Sequence, residues 1–253
     1  MQPLRRNLGR YCGERIEIDD VLQAVHVAAD SSGWKQSDLN CDNGLKLSVL
    51  HRKGRSPGRR IYISTGIHGD EPAGPMSVLR LLQENLWPED CEIWLCPCLN
   101  PTGFPLNTRE NRDGVDLNRD FKNRSTSEIR ALTVWLSDLP CFDMGIHLHE
   151  DWESVGFYLF ELNPKDFAAR SAQVIAEVAE VCPIDRSSEI EGFAATDGII
   201  HPNVNPESRT DWPEAFFMVQ EKTNISYTLE GPSDFPLAVR VDALCAAVNC
   251  LLV

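Results

Sequence analysis

The stretch Arg60-Ile-Tyr-Ile-Ser-Thr-Gly-Ile-His-Gly-Asp-Glu-Pro-Ala73 runs from strand to helix without a gap. Its first six residues, Arg60–Thr65, are the β-branched and aromatic run of a short buried strand. Gly66 to Glu71 then make a turn, and Pro72 suits the first turn of a helix predicted over Ala73–Asn85. The same step recurs outward from it. Upstream, the spacing predicts a helix over Asp19–Ser32, a half-exposed strand over Leu45–His51, and a solvated turn in the basic cluster Arg52–Arg60 with Pro57-Gly58. Downstream, strands are predicted over Glu92–Cys98, Phe142–His149, Gly156–Leu162 and Asn224–Glu230. Ser125 and Glu128 read as a capping box for a helix over Glu128–Leu136. Further helices are predicted from Asn163-Pro164 to about Val181 and over Leu237–Leu251. Residues 183–222, rich in Pro, Asp, Asn and Gly, read as irregular, and long loops of that kind tend to bind or cover ligands. Alternating strands and helices predict an α/β fold on a mostly parallel sheet, in one layered domain over residues 1–253.

The 253 residues carry 24 basic and 38 acidic side chains, a formal charge of −14, which disfavours gripping a phosphate backbone or anionic lipid. A hydrophobic fraction of 42% with 16 Gly and 16 Pro excludes disorder and collagen-like repeats. No run approaches the ~18–20 apolar residues that span a bilayer. Met1-Gln-Pro-Leu-Arg-Arg has no apolar stretch behind it, so it is not a secretory signal. The expectation is a cytoplasmic chain with no nucleic-acid or membrane partner. Nine cysteines form no Cys-x-x-Cys pair and read as small buried hydrophobes kept reduced in a cytosol, with a zinc site or disulfides as the alternatives.

In parallel sheets, ligands gather at the C-terminal ends of strands. Four predicted strand ends carry polar clusters: His68/Glu71, Asn100–Arg119, His147/His149 and Glu230. An imidazole and a carboxylate on the turn His68-Gly-Asp-Glu71 can converge on one ion, and a third ligand then comes from His147 or His149, which share one strand face. Either histidine can instead be a satisfied polar residue of the core. The segment 100–121 concentrates Asn and Arg near glycines, and guanidinium forks suit a carboxylate or an oxyanion. Arg112 and Arg124 read as ordinary surface arginines. Glu230, at the tip of a buried strand, needs a partner or a function.

In these residues the chain resembles the zinc carboxypeptidase superfamily, the carboxypeptidase A-like metallopeptidases. The likeness points to their small bacterial, murein-peptide-amidase-like branch, related to succinylglutamate desuccinylase and aspartoacylase. It rests on Gly66-Ile-His68-Gly-Asp-Glu71-Pro72, Asn100-Pro-x-Gly103, Arg109-x-Asn111, Gly114-Val-Asp-Leu-Asn118-Arg119-x-Phe121, Ser127-Glu128, a strand ending in histidine, and Thr228-x-Glu230. No Gly-x-Ser-x-Gly of a serine hydrolase occurs.

The resemblance implies a three-layer α/β/α fold of phosphorylase/hydrolase type with a mixed, mostly parallel central sheet. It implies one Zn2+ held by His68, Glu71 and a third ligand. That ligand is matched to His149, because members of the branch carry Pro-Asp-Leu-Val-x-Ser-Leu-His and counting six residues from Asp143 gives 149. By the same likeness Arg109 polarises the scissile carbonyl, Asn118 and Arg119 clamp a terminal carboxylate, and Glu230 is the general base. The implied reaction is hydrolysis of an amide in a short peptide by a metal-activated water. The sequence departs from the family in two places. None of its four tyrosines (11, 62, 158, 227) lies in 183–222, so either Tyr158 or another group closes the site, or nothing does. Glu150-Asp151 is unusual after the zinc histidine and suits an outer orienting role or solvent better than a second ion. A deacylase of small N-acyl-amino acids is the alternative enzyme; its relatives append a β-rich domain, and 23 residues after Glu230 leave room for one helix. An inactive binding module on the same scaffold would have lost a ligand or the base.

Overall fold

A strand covered on both faces must be apolar almost throughout. Ile61-Tyr-Ile-Ser-Thr65 meets that requirement: every one of its residues is buried. The computed structural model describes residues 2–7, 9, 11–55 and 58–253; Pro57 of the expected turn lies outside them. Along these residues run α1 (Ile18–Ser31), β1 (Lys35–Asn40), β2 (Lys46–Arg52), β3 (Arg60–Thr65), α2 (Ala73–Glu84) and β4 (Glu92–Cys96). Then come α3 (Ser127–Asp138), β5 (Phe142–Asp151), β6 (Tyr158–Leu162), α4 (Ser171–Ala179), β7 (Glu189–Ile190), β8 (Phe193–Thr196) and β9 (Ile199–Ile200). The chain closes with α5 (Glu214–Glu221), β10 (Thr223–Pro232) and α6 (Leu237–Leu252).

Among the described residues these strands form one ten-stranded sheet in the order β1-β2-β4-β3-β5-β10-β6-β9-β8-β7. Its centre, β4-β3-β5-β10, is parallel as the strand–helix alternation predicts. The flanks are mostly antiparallel, so the sheet is mixed as expected but not mostly parallel: four of its pairings are parallel and five antiparallel. Period-two alternation sends Ile61, Ile63, Ile93 and Leu95 into a core shared with α1, α2, α4 and α6. Their neighbours Tyr62, Trp94 and Cys96 enter the opposite core, with Ile129 and Leu132 of α3 and Phe217 of α5. The result is the expected α/β/α layering. Ile63 is fully buried, and truncating such a side chain to alanine costs about 2–5 kcal/mol.

The expected elements recur with three corrections. The helix predicted from Asn163 starts only at Ser171, because the Asn163 side chain bonds both the N–H and the C=O of Phe167 and closes a loop there. Thr126, not Ser125, caps α3: its hydroxyl oxygen accepts from the Ile129 N–H while donating to Asp120. The segment 183–222 is not irregular throughout, since it holds β7, β8, β9 and α5. Its two hairpins turn at Glu191-Gly192 and Asp197-Gly198, where all four residues have positive φ. The sequence reading also passed over β1.

Candidate metal centre and active-site cleft

The four parallel strands end on one edge, and the loops leaving them supply the site. After β3 the chain turns at Gly66 (φ +62°) and presents His68 and Glu71 ahead of α2. Gly69 between them is required by close approach: a Cβ there would lie 2.1 Å from the Gly103 carbonyl carbon. Two loops that carry site residues are thereby pressed together. The excursion after β4 brings Arg109, Asp116, Asn118 and Arg119. β5 supplies His149, and β10 supplies Glu230 in direct register with it across the parallel ladder.

One donor atom from each of His68, Glu71 and His149 lies within 4.8 Å of the others, and all three residues are buried. His68 Nδ1 is 2.5 Å from Glu71 Oε1 and His149 Nδ1 is 3.0 Å from Oε2, so both imidazoles turn the same nitrogen toward one carboxylate. Burial alone would push Glu71 up, but the two imidazoles hold it well below the usual carboxylate range. Burial lowers His149; at His68 the carboxylates of Glu71 and Asp116 outweigh burial and raise it. His68 Nε2 is buried and, among the described residues, has no hydrogen bond; it lies 3.4 Å from Asp116 Oδ1. Two imidazoles and a carboxylate are the donor set of three-ligand catalytic zinc sites, and the arrangement fits that ion.

His147 is not part of this group. Its Nδ1 meets the Ser64 hydroxyl at 2.8 Å and its Nε2 the Ser226 hydroxyl at 2.9 Å, deep in the sheet. Arg109 donates through Nε to Asp116 at 2.8 Å, and its Nη1 reaches to 3.3 Å from His68 Nδ1 and 3.9 Å from Glu71. Asn118 donates its backbone N–H to Asp116 and accepts on Oδ1 from the Glu214 N–H at 2.8 Å, while the half-exposed Arg119 caps its carbonyl. Glu230 is buried, and among the described residues nothing hydrogen-bonds its carboxyl group. Burial first, then the negative charge of Glu71 and Asp151, push it well above the usual range, with Arg109 pulling the other way. A carboxyl so placed, facing the cleft beside the three candidate ligands, is within reach of a water bound there and can exchange a proton with it.

These groups line a cleft of about 420 Å³ with an apolar wall of Phe160, Leu162, Ala215 and Phe216. Arg209 lies over the Phe216 ring, 5.1 Å from its centroid. Tyr158 is not a lid: it stands in β6 and donates to Asp151 at 3.1 Å. Glu150 is engaged by the Ala73 N–H and the buried Arg240, and among the described residues neither it nor Asp151 joins the His68 group. All nine cysteines are free thiols, and none joins the metal group. The sequence reading missed Asp116, which joins His68, Arg109 and Asn118, although it stands inside the quoted Gly-Val-Asp-Leu-Asn motif. It also missed the wall from α5, for which Pro213 followed by Glu-Ala-Phe-Phe-Met-Val was the available signal.

The model of the succinylglutamate desuccinylase/aspartoacylase catalytic domain matches residues 57–190, more than half of the sequence. The chain belongs to that family. Its match spans His68, Glu71, Arg109, Asn118, Arg119 and His149, and stops short of Glu230. This desuccinylase/aspartoacylase family member is also 33% identical to carboxypeptidase SOL1 of Arabidopsis thaliana over 122 residues, 38% of this chain and 25% of that one. Its identity to carboxypeptidase 2 of Trichophyton tonsurans is 28% over 138 residues, 46% and 26% of the two chains. The matches span about a quarter of the length of these relatives. Among solved structures, a candidate metallopeptidase of Shewanella baltica superimposes with a TM-score of 0.81 at 23% identity, covering 100% of this chain and 98% of that one. A metallo-carboxypeptidase of Burkholderia cenocepacia gives 0.68 at 15% identity, over 92% and 68%. The fold is thus shared with metallo-carboxypeptidase structures, and the family is that of the succinylglutamate desuccinylase/aspartoacylase catalytic domain.

Proposed function

We propose that the chain is a zinc-dependent hydrolase that cuts the amide bond of a short peptide beside a free carboxylate. The observation that carries this reading is the convergence of His68, Glu71 and His149 in one cleft with the unpartnered carboxyl of Glu230. Zinc bound there would supply a Lewis acid and a water of near-neutral pKa. Glu230 takes the proton of the attacking water and hands it to the leaving amine. Arg109, held by Asp116, steadies the negative charge that grows on the carbonyl oxygen. Arg119 and the Nδ2 of Asn118 receive the substrate carboxylate, and the wall of Phe160, Leu162 and Phe216 takes an apolar side chain beside it.

The family match favours a second reading, deacylation of a small N-acyl-amino acid, which uses the same residues. An inert binding module gains no support, since no ligand or base is lost. The free thiols and the net charge of −14 support a reducing, cytoplasmic setting without nucleic-acid partners. Among the described residues no helix is long and apolar enough to cross a membrane.

The test is metal analysis of the purified protein followed by a screen of dipeptides, acyl-amino acids and muropeptides, each with its carboxylate free or esterified. Bound zinc and turnover of free-carboxylate peptides are expected. Zinc-loaded protein that cuts none of them, or cuts the esters equally well, would overturn the peptidase reading; cleavage of acyl-amino acids alone would select the deacylase.

A further inference from the structure

His147 is a buried histidine that the reaction does not use, and its partners lead back to the cleft. Ser64 has one hydroxyl proton and gives it to Glu214 Oε2 at 2.8 Å. Its 2.8 Å contact with His147 Nδ1 therefore places a proton on Nδ1, while Nε2 meets the Ser226 hydroxyl. Tyr62 donates to the other Glu214 oxygen at 2.8 Å, and His147 Nδ1 is itself 3.2 Å from Oε2. All five residues are buried. Two neighbouring strands, β3 and β5, thus grip the side chain of the first residue of α5, and Ser226 of β10 backs His147 from behind.

That grip has two consequences at the cleft. Pro213, Ala215 and Phe216, which flank Glu214, line it. The Glu214 backbone N–H donates to Asn118 Oδ1 at 2.8 Å, which fixes the Asn118 amide with its oxygen turned to α5 and its two Nδ2 protons left for a ligand. We infer that Glu214, held by Tyr62, Ser64 and His147, is a positioning residue that sets Asn118 as a donor for a substrate carboxylate and sets the adjoining apolar wall. This rests on the carboxylate role of Asn118 proposed above. It gives His147 a task distinct from metal binding and locates the specificity of the site in a core network.

The test uses 15N-labelled, zinc-loaded full-length protein titrated with hydrocinnamate, a carboxylate with an apolar ring, followed at the Asn118 side-chain amide. Glu214→Gln puts an NH2 against the hydroxyl donors of Tyr62 and Ser64, so one must turn away. Tyr62→Phe removes one hydroxyl only and covers the case in which Glu214→Gln does not fold. We expect the Kd to rise about tenfold in Glu214→Gln and severalfold in Tyr62→Phe, with zinc stoichiometry unchanged. For any peptide the protein cleaves, KM should rise for the free acid while kcat and the KM of its methyl ester hold. Unchanged Kd in both variants, or loss of zinc and kcat in step with KM, would overturn the inference alone. No response of Asn118 in the wild type would overturn the carboxylate role on which it rests.

Discussion

Replacing Arg240 by methionine should cost about 3–5 kcal/mol of stability, the range for stranding one partner of a buried ion pair. The Arg240 side chain is wholly buried. Nη1 bonds the equally buried Glu150 and reaches the Tyr11 hydroxyl at 3.3 Å, and Nη2 bonds Glu14 at 2.5 Å. Glu150 keeps only neutral donors once the guanidinium is gone, the Ala73 N–H at 2.5 Å and the Ser233 hydroxyl at 3.3 Å. Burial already raises its carboxyl with Arg240 in place, and the loss raises it further. For 253 residues the unfolding entropy is about 0.5 kcal/mol/K, so Tm should fall by about 6–9 °C. The double variant Arg240→Met/Glu150→Gln leaves an uncharged acceptor for the Ala73 N–H and should recover most of the loss. Differential scanning calorimetry of wild type, both single variants and the double variant closes the cycle. A single-variant shift under about 2 °C, or a double variant no better than Arg240→Met, would refute the reasoning.

Glu230→Gln should lower kcat by about 10²–10⁴-fold with zinc retained, read by turnover and metal analysis on the same sample; retained activity removes Glu230 from the chemistry. His149→Ala should strip zinc while His147→Ala keeps it, and the opposite pattern would exchange their roles. Arg119→Gln should raise KM for free-carboxylate substrates and leave their esters unchanged. The Asp120 carboxylate accepts from the backbone and hydroxyl of both Ser125 and Thr126, which outweigh burial and lower its pKa. A lowered carboxylate stabilises the fold above its unfolded pKa of about 3.9, and that contribution is lost as pH falls through the folded value. Asp120→Asn should therefore destabilise at pH 7 and flatten the acid limb of urea midpoints measured from pH 5 to 2; an unchanged limb would show that Asp120 does not contribute.

What was legible in the sequence was local. Ile61-Tyr-Ile-Ser-Thr65 announces a buried strand because burial on both faces selects apolar, β-branched and small side chains and leaves out charged ones, and the motifs after four strands marked where ligands gather. The choice of His149 over His147 came from counting along a family pattern, since both stand on one strand face. Which one meets Glu71 depends on the height of the β3 turn beside β5, a tertiary fact. Asn163 looked like the start of a helix because the competition of its side chain for the Phe167 backbone leaves no mark on periodicity. The wall from α5 was hidden inside a segment whose Pro, Asp and Gly suggested only a loop. The Asp197-Gly198 pair was a readable hairpin signal there.

The pairing of Glu230 with His149 across adjacent strands has an evolutionary corollary. Inserting or deleting one residue inside β5 or β10 would turn the base or the ligand to the far side of the sheet. Drift in chain length is thus barred within those strands. It is open in the loops of the excursion from Trp152 to Lys222 that joins them, outside β6 and α5, where new substrate preferences can arise while the reacting groups keep their spacing.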